Sequence, residues 1–168
     1  MRKSLLGPAV AILCVMASSA IPARSEAPNL VGSWRLVSYE ERTTSGAVIP
    51  VWGNSPRGRL MYDAGGRMSV QLMNPQRRTF ASPDRLGGTA DEVRGAFEGY
   101  LAYYGTYSVD PSAGVVTHHV DGALYPNHMG TDLRRSFQLS GKRLRLSTPP
   151  TLSGGRTSTF DLVWEREE

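Results

Sequence analysis

Cysteine is all but missing from this chain. Cys14 is the one thiol in 168 residues, and it falls in a segment that reads as an export signal. Arg2 and Lys3 give that segment a positive start, Leu5 to Met16 is apolar, and Ser18-Ser19-Ala20 offers small residues for cleavage. Removing residues 1–23 leaves a domain of residues 24–168 without a thiol, which excludes thiol catalysis and disulfide staples. Such a domain depends on buried apolar area and closed hydrogen bonding. Bulky Ile12 and Leu13 ahead of Cys14 speak against lipid attachment, and Arg2-Lys3 is not a twin-arginine pair. The expected location is periplasmic or secreted.

Other absences narrow the function. The signal's apolar run is about twelve residues and nothing else approaches the ~20 needed for a spanning helix, so no integral membrane span is expected. Without Arg2 and Lys3 the basic count falls from 19 to 17 against 15 acids, a formal +2. The remaining arginines are scattered, apart from the pairs Arg77-Arg78 and Arg134-Arg135, so nucleic acid is not an expected partner. The chain has no phosphate loop, dinucleotide fingerprint or Gly-x-Ser-x-Gly elbow. No catalytic residue and no cofactor is assigned.

What the chain does contain is a succession of short alternating segments, each closed by glycine, proline or aspartate. These read as hairpins. Strands are expected at 34–41, 48–52, 58–63, 67–73, 106–110, 115–122, 131–139, 143–148 and 157–166. In the first, Trp34, Leu36 and Ser38 share one face and Arg35, Val37 and Tyr39 the other. Residues 74–88, with Pro75, Pro83, Gly87 and Gly88, read as a long loop. The period then changes: Thr89 and Glu92 form a capping box, and Val93, Phe97, Tyr100, Leu101 and Tyr104 recur at helical spacing up to Gly105. A helix over 89–104 is expected, its aromatic stripe packed on the sheet. The fold class is all-β in the main: a closed antiparallel barrel of eight to ten strands with one helix inserted mid-chain. Closure removes exposed edges, and about eight strands leave room for side chains and one small ligand. The alternative is a two-sheet sandwich with a full core.

The segment Asn29-Leu30-Val31-Gly32-Ser33-Trp34-Arg35-Leu36 resembles the opening strand of calycins, the superfamily of lipocalins and fatty-acid-binding proteins, in which a Gly-x-Trp element packs its indole across one end of the barrel. More specifically, the chain is similar to the bacterial and fungal lipocalin-like domain family. The matching stretches include Pro56-Arg57-Gly58-Arg59-Leu60-Met61-Tyr62, Tyr104-Gly105-Thr106-Tyr107, Val116-Thr117-His118-His119-Val120 and Pro126-Asn127-His128-Met129-Gly130-Thr131. The resemblance implies a calycin-like barrel with Trp34 as its structural end, and a small hydrophobic molecule as partner.

Candidate ligand-binding residues are Arg135, His118, Tyr62, Tyr104, Tyr107 and Phe137. Arg135 shares a strand face with Leu133, Phe137 and Leu139, so an inward face carries a guanidinium into the barrel. A buried charge needs a partner. Intracellular calycins hold a carboxylate this way; stacking on Trp34, or pairing with Asp121 or Asp132, are the structural alternatives. His118 and His119 point to opposite faces and cannot chelate a metal together, so no metal is expected even with His128 nearby. His118 is the inward one, next to Tyr62, Tyr104 or Tyr107, and serves either to orient a polar ligand head or as an ordinary hydrogen-bonded core histidine. Three functions follow: a carrier of a small hydrophobic molecule, an isomerase or cyclase using the cavity with His118 moving a proton, or a filled barrel acting through its surface in the cell envelope.

Overall fold

Period-two alternation carries through to the structure wherever it is unbroken. In the computed structural model, which describes residues 29–168, ten strands follow one another. They are β1 (Gly32–Thr43), β2 (Val48–Pro50), β3 (Arg57–Tyr62), β4 (Arg67–Met73), β5 (Tyr100–Asp110), β6 (Val115–Ala123), β7 (Asp132–Ser140), β8 (Arg143–Ser147), β9 (Thr151–Ser153) and β10 (Arg156–Arg166). One helix, α1 (Ala90–Glu98), lies between β4 and β5, and a 3-10 turn (Pro126–His128) between β6 and β7. The segment expected to be an export signal, with Cys14, lies outside the described residues.

Eight strands close into an antiparallel barrel in the order β1, β3, β4, β5, β6, β7, β8, β10, with β10 pairing back onto β1. No strand of the ring keeps a free edge, the condition that an all-β chain without disulfides needs. β2 and β9 extend the sheet beyond the ring, pairing with Glu40 to Arg42 of β1 and Arg156 to Ser158 of β10. Both sit at the same rim, which we call the mouth.

The opposite end is shut by side chains. Trp34 is fully buried, donates from Nε1 to the Leu30 carbonyl at 2.9 Å and carries the Arg166 guanidinium 4.1 Å over its ring. Gly32, at φ +140°, leaves the guanidinium its space: a Cβ there would sit 2.6 Å from Arg166 Nη1. The spacing Gly-x-Trp thus has a steric reason. Arg166, not Arg135, takes the stacking role.

Two expectations are corrected. Helical spacing through Tyr104 does not hold, because Gly99 caps α1 with its N–H on the Gly95 and Phe97 carbonyls, and the chain then joins β4 from Tyr100 opposite Met73. A ladder on the open edge of β4 supplies more hydrogen bonds than another helical turn. The capping box at Thr89 and Glu92 is present, but α1 buries none of its residues; Val93 and Phe97 stay about half exposed, so the stripe is not a packed face. The second correction concerns β1: its register with β10 shifts between Leu36 and Ser38. The bulge swaps the faces, sending Tyr39 and Glu41 inward after Trp34 and Leu36.

On the outer face, Asp161 of β10 ties three neighbouring strands together. It accepts from Arg42 Nε of β1 at 2.8 Å, from Arg145 Nη2 of β8 at 2.6 Å and from the Ser147 hydroxyl. Burial alone pushes its carboxyl up, but the hydrogen bonds from Arg145, Ser147 and Arg42 outweigh it and bring the pKa down to about 2. A depressed carboxyl stabilises the fold above its unfolded value, near 3.8, and ceases to do so as the pH falls through about 2. Asp161→Asn is expected to cost about 2 kcal/mol at neutral pH, a penalty that shrinks between about pH 4 and pH 2. Urea unfolding of both proteins across that range checks it; a pH-independent penalty would contradict the assignment.

Candidate functional site

Above the filled half of the barrel the interior opens into a cavity of about 480 Å³ that reaches the mouth. Its walls come from most of the ring: Tyr39 of β1, Leu72 of β4, Leu101 and Tyr103 of β5, Leu133 and Arg135 of β7, Phe160 and Leu162 of β10. Trp52, Phe97 of α1, Leu124, Tyr125, His128 and Leu152 form the rim. The lining is mainly apolar with a few polar groups, the usual make-up of a small-molecule site, and the volume falls within the ordinary range of about 300–1,000 Å³.

A polar column runs beneath this cavity. The Tyr103 hydroxyl lies 2.9 Å from Nδ1 of His118, and the Tyr62 hydroxyl lies 2.6 Å from Nε2 on the other side of the ring. His118 and Tyr62 are 1% and 2% exposed. Below them the ring of Tyr107 stands 4.5 Å from that of Tyr62, and its hydroxyl donates to the Asp63 carbonyl at 3.0 Å. Burial first, then the positive charge of Arg135 and the neighbouring His119, bring the His118 imidazole from 6.5 down to about 3, so it is neutral. Burial raises Tyr62 and Tyr103, against the opposing charge of Arg135, and takes Tyr39 up to about 12. All three stay phenols.

Arg135 enters the barrel as its strand face requires. Its guanidinium stands beside the Tyr103 hydroxyl and donates from Nη1 to the Arg134 carbonyl at 2.8 Å. Among the described residues it has no carboxylate within ion-pair distance. Asp132 is engaged outside, accepting from His119 Nδ1 at 2.7 Å, and Asp121 is exposed. His128, at the rim, meets the rings of Tyr103 and Tyr125 edge-on.

Of the candidates read from the sequence, Arg135 alone lines the cavity. His118 and Tyr62 lie one layer below it, with Tyr107 under them. Phe137 packs against the core and is not a cavity wall. Tyr104 is 59% exposed on the outside, because alternation along β5 puts Tyr103 inward and Tyr104 outward. Tyr103, which joins the cavity to His118, was hidden by the helical reading of residues 100–104. The signal that reveals it is Gly99: starting a strand just after it turns residues 101, 103, 105 and 107 inward.

Chemically, the imidazole has both nitrogens engaged and no opening to the cavity, so a bound molecule meets Tyr103 and Arg135 and not His118. The arrangement can hold a small apolar body and fix one polar end.

The 4'-hydroxy-3'-methoxypropiophenone carrier protein of Aspergillus oryzae is 35% identical to this chain over 107 residues, 59% of this chain and 96% of the carrier. A crystal structure of a lipocalin-like protein from Bacteroides uniformis aligns with a TM-score of 0.42 at 16% identity, over 82% of this chain and 98% of that one. A family model described as a lipocalin-like domain matches residues 31–167, nearly all of the described chain, and the protein therefore belongs to the lipocalin-like domain family.

Proposed function

We propose that this protein is an exported carrier that takes up a small, largely apolar molecule through the barrel mouth and holds it against Tyr103 and Arg135. The observation that carries this reading is the half-empty barrel: a cavity of about 480 Å³ walled by Leu72, Leu101, Leu133, Phe160 and Leu162 above a fully packed closed end. A barrel acting only through its surface has no use for such a hollow, and filling it would bury more apolar area. The relationship to a carrier of a substituted propiophenone supports a compact ligand with an aromatic ring, and the volume accommodates one. Export rests on residues 1–23; fractionation with N-terminal sequencing of the mature protein tests it, and an intact N-terminus in the cytoplasm would refute it.

Binding is tested with an environment-sensitive apolar dye and with mass spectrometry of extracts from the purified protein. Leu133→Trp fills the cavity from a half-buried position and is expected to weaken dye uptake more than about tenfold with little change in thermal midpoint. Tyr104→Ala, on the outside, should leave uptake unchanged. Equal effects from the two variants would place the dye somewhere other than the barrel interior.

A further inference from the structure

The hydrogen-bond inventory of the polar column decides which way its protons point. Tyr62 is buried, and its hydroxyl has one partner among the described residues, Nε2 of His118 at 2.6 Å. If Nε2 carried a proton, Tyr62 would accept it and its own O–H would be left buried without an acceptor, at a cost of about 1–3 kcal/mol. An imidazolium fails in the same way, since both of its nitrogens donate. The arrangement that satisfies every group has Tyr62 donating to Nε2, a neutral ring protonated on Nδ1, and Nδ1–H donating to the Tyr103 oxygen at 2.9 Å.

That order has a consequence at the cavity. The Tyr103 proton cannot go to His118, which is already donating, nor to Arg135, whose guanidinium only donates. We infer that Tyr103 directs its O–H into the cavity beside Arg135, so that this end of the site offers donors only and selects a ligand bringing an accepting oxygen, a carbonyl or a carboxylate. This inference rests on the mouth cavity being the binding site. His118 and Tyr62 then act as positioning residues: they touch no ligand but set the direction of the hydroxyl that does. A ligand with a methylene group at this place would leave the Tyr103 O–H without an acceptor and lose affinity about ten- to hundredfold.

The tautomer is read without any ligand. Long-range 1H–15N spectra of the histidine-labelled protein near pH 7.5 are expected to show His118 protonated on Nδ1; protonation on Nε2 overturns the inference. Selectivity is then measured by displacing the apolar dye with three probes. These are 4'-hydroxy-3'-methoxypropiophenone, its analogue with CH2 in place of the carbonyl, and the benzoic acid with the same ring substituents. The ketone or the acid should outcompete the methylene analogue about ten- to hundredfold. A ketone-selective site loses that preference in Tyr103→Phe, and a carboxylate-selective one in Arg135→Met. Dye displaced equally by all three probes, or by none, overturns the inference and leaves the cavity a binding site. No dye uptake at all overturns both.

Discussion

Lowering the pH from about 7.5 to about 4.5 is expected to remove about 3 kcal/mol of folding stability, most of it through His118. The folded imidazole titrates at about 3 against 6.5 for the free side chain, so the unfolded chain takes up a proton over this interval and the folded one does not. A histidine depressed in this way stabilises the fold fully above 6.5, and the stability drains away as the pH falls from there toward 3. The groups around it agree on the sign: Tyr62 from β3 and Tyr103 from β5 offer no negative charge, and Arg135 from β7 opposes a second positive one. His128, lowered by burial and by Arg135, adds a smaller effect of the same sign. The Asp161 cluster does not confuse the measurement, because it responds only below about pH 4. Urea unfolding at intervals between pH 7.5 and 4.5 gives the slope, and His118→Gln should flatten it while His128→Gln barely alters it. Stability that stays level across the range would mean that water reaches the imidazole.

The same column shows where the sequence was readable and where it was not. β4 and β8 alternate without interruption, and their inward sets, Met68, Val70 and Leu72 and then Leu144 and Leu146, are buried as the pattern says. Closure was readable too, since many short hairpin strands without disulfides leave few other ways to cover their edges. The inward direction of His118 and Arg135 follows from their face-mates. What hides Tyr39 is a single bulge after Leu36, which reverses a face with no glycine or proline to announce it. Tyr103 is hidden by an accident of spacing, because Phe97, Tyr100, Leu101 and Tyr104 satisfy a helical period across a helix-to-strand junction. β9 is three residues long and flanked by Pro150 and Gly154, so its local signal is that of a loop; only the rim of the barrel makes it a strand. Arg166 could not be matched to Trp34 from spacing, since its guanidinium reaches the indole across the β1–β10 seam that closes the ring.

That seam carries the largest single stability effect to be expected. Trp34→Ala should cost about 4 kcal/mol, in the upper part of the range for large-to-small core substitutions, because the indole is wholly buried and its removal opens the closed end beneath a rigid ring of strands. Three further losses accompany the cavity: the Nε1 bond to the Leu30 carbonyl, which fastens the chain entering β1, the stack of Arg166, and the guanidinium's alignment toward the Val31 and Asn29 carbonyls. Arg166→Met keeps the hydrophobic stem and removes the fork, so it is expected to cost about 2 kcal/mol. Since the two groups act through one contact, the double variant should be more stable than the sum of the single losses implies, by about 1 kcal/mol. Denaturant unfolding of the four proteins yields that coupling; strict additivity would make the stack incidental. Dye affinity per folded molecule should not change in any of them, because Trp34 and Arg166 lie at the sealed end and neither lines the cavity. A barrel built this way keeps its closure at one end and its open cavity at the other, so substitutions in the wall near the mouth leave the Gly32, Trp34 and Arg166 arrangement to hold the ring shut.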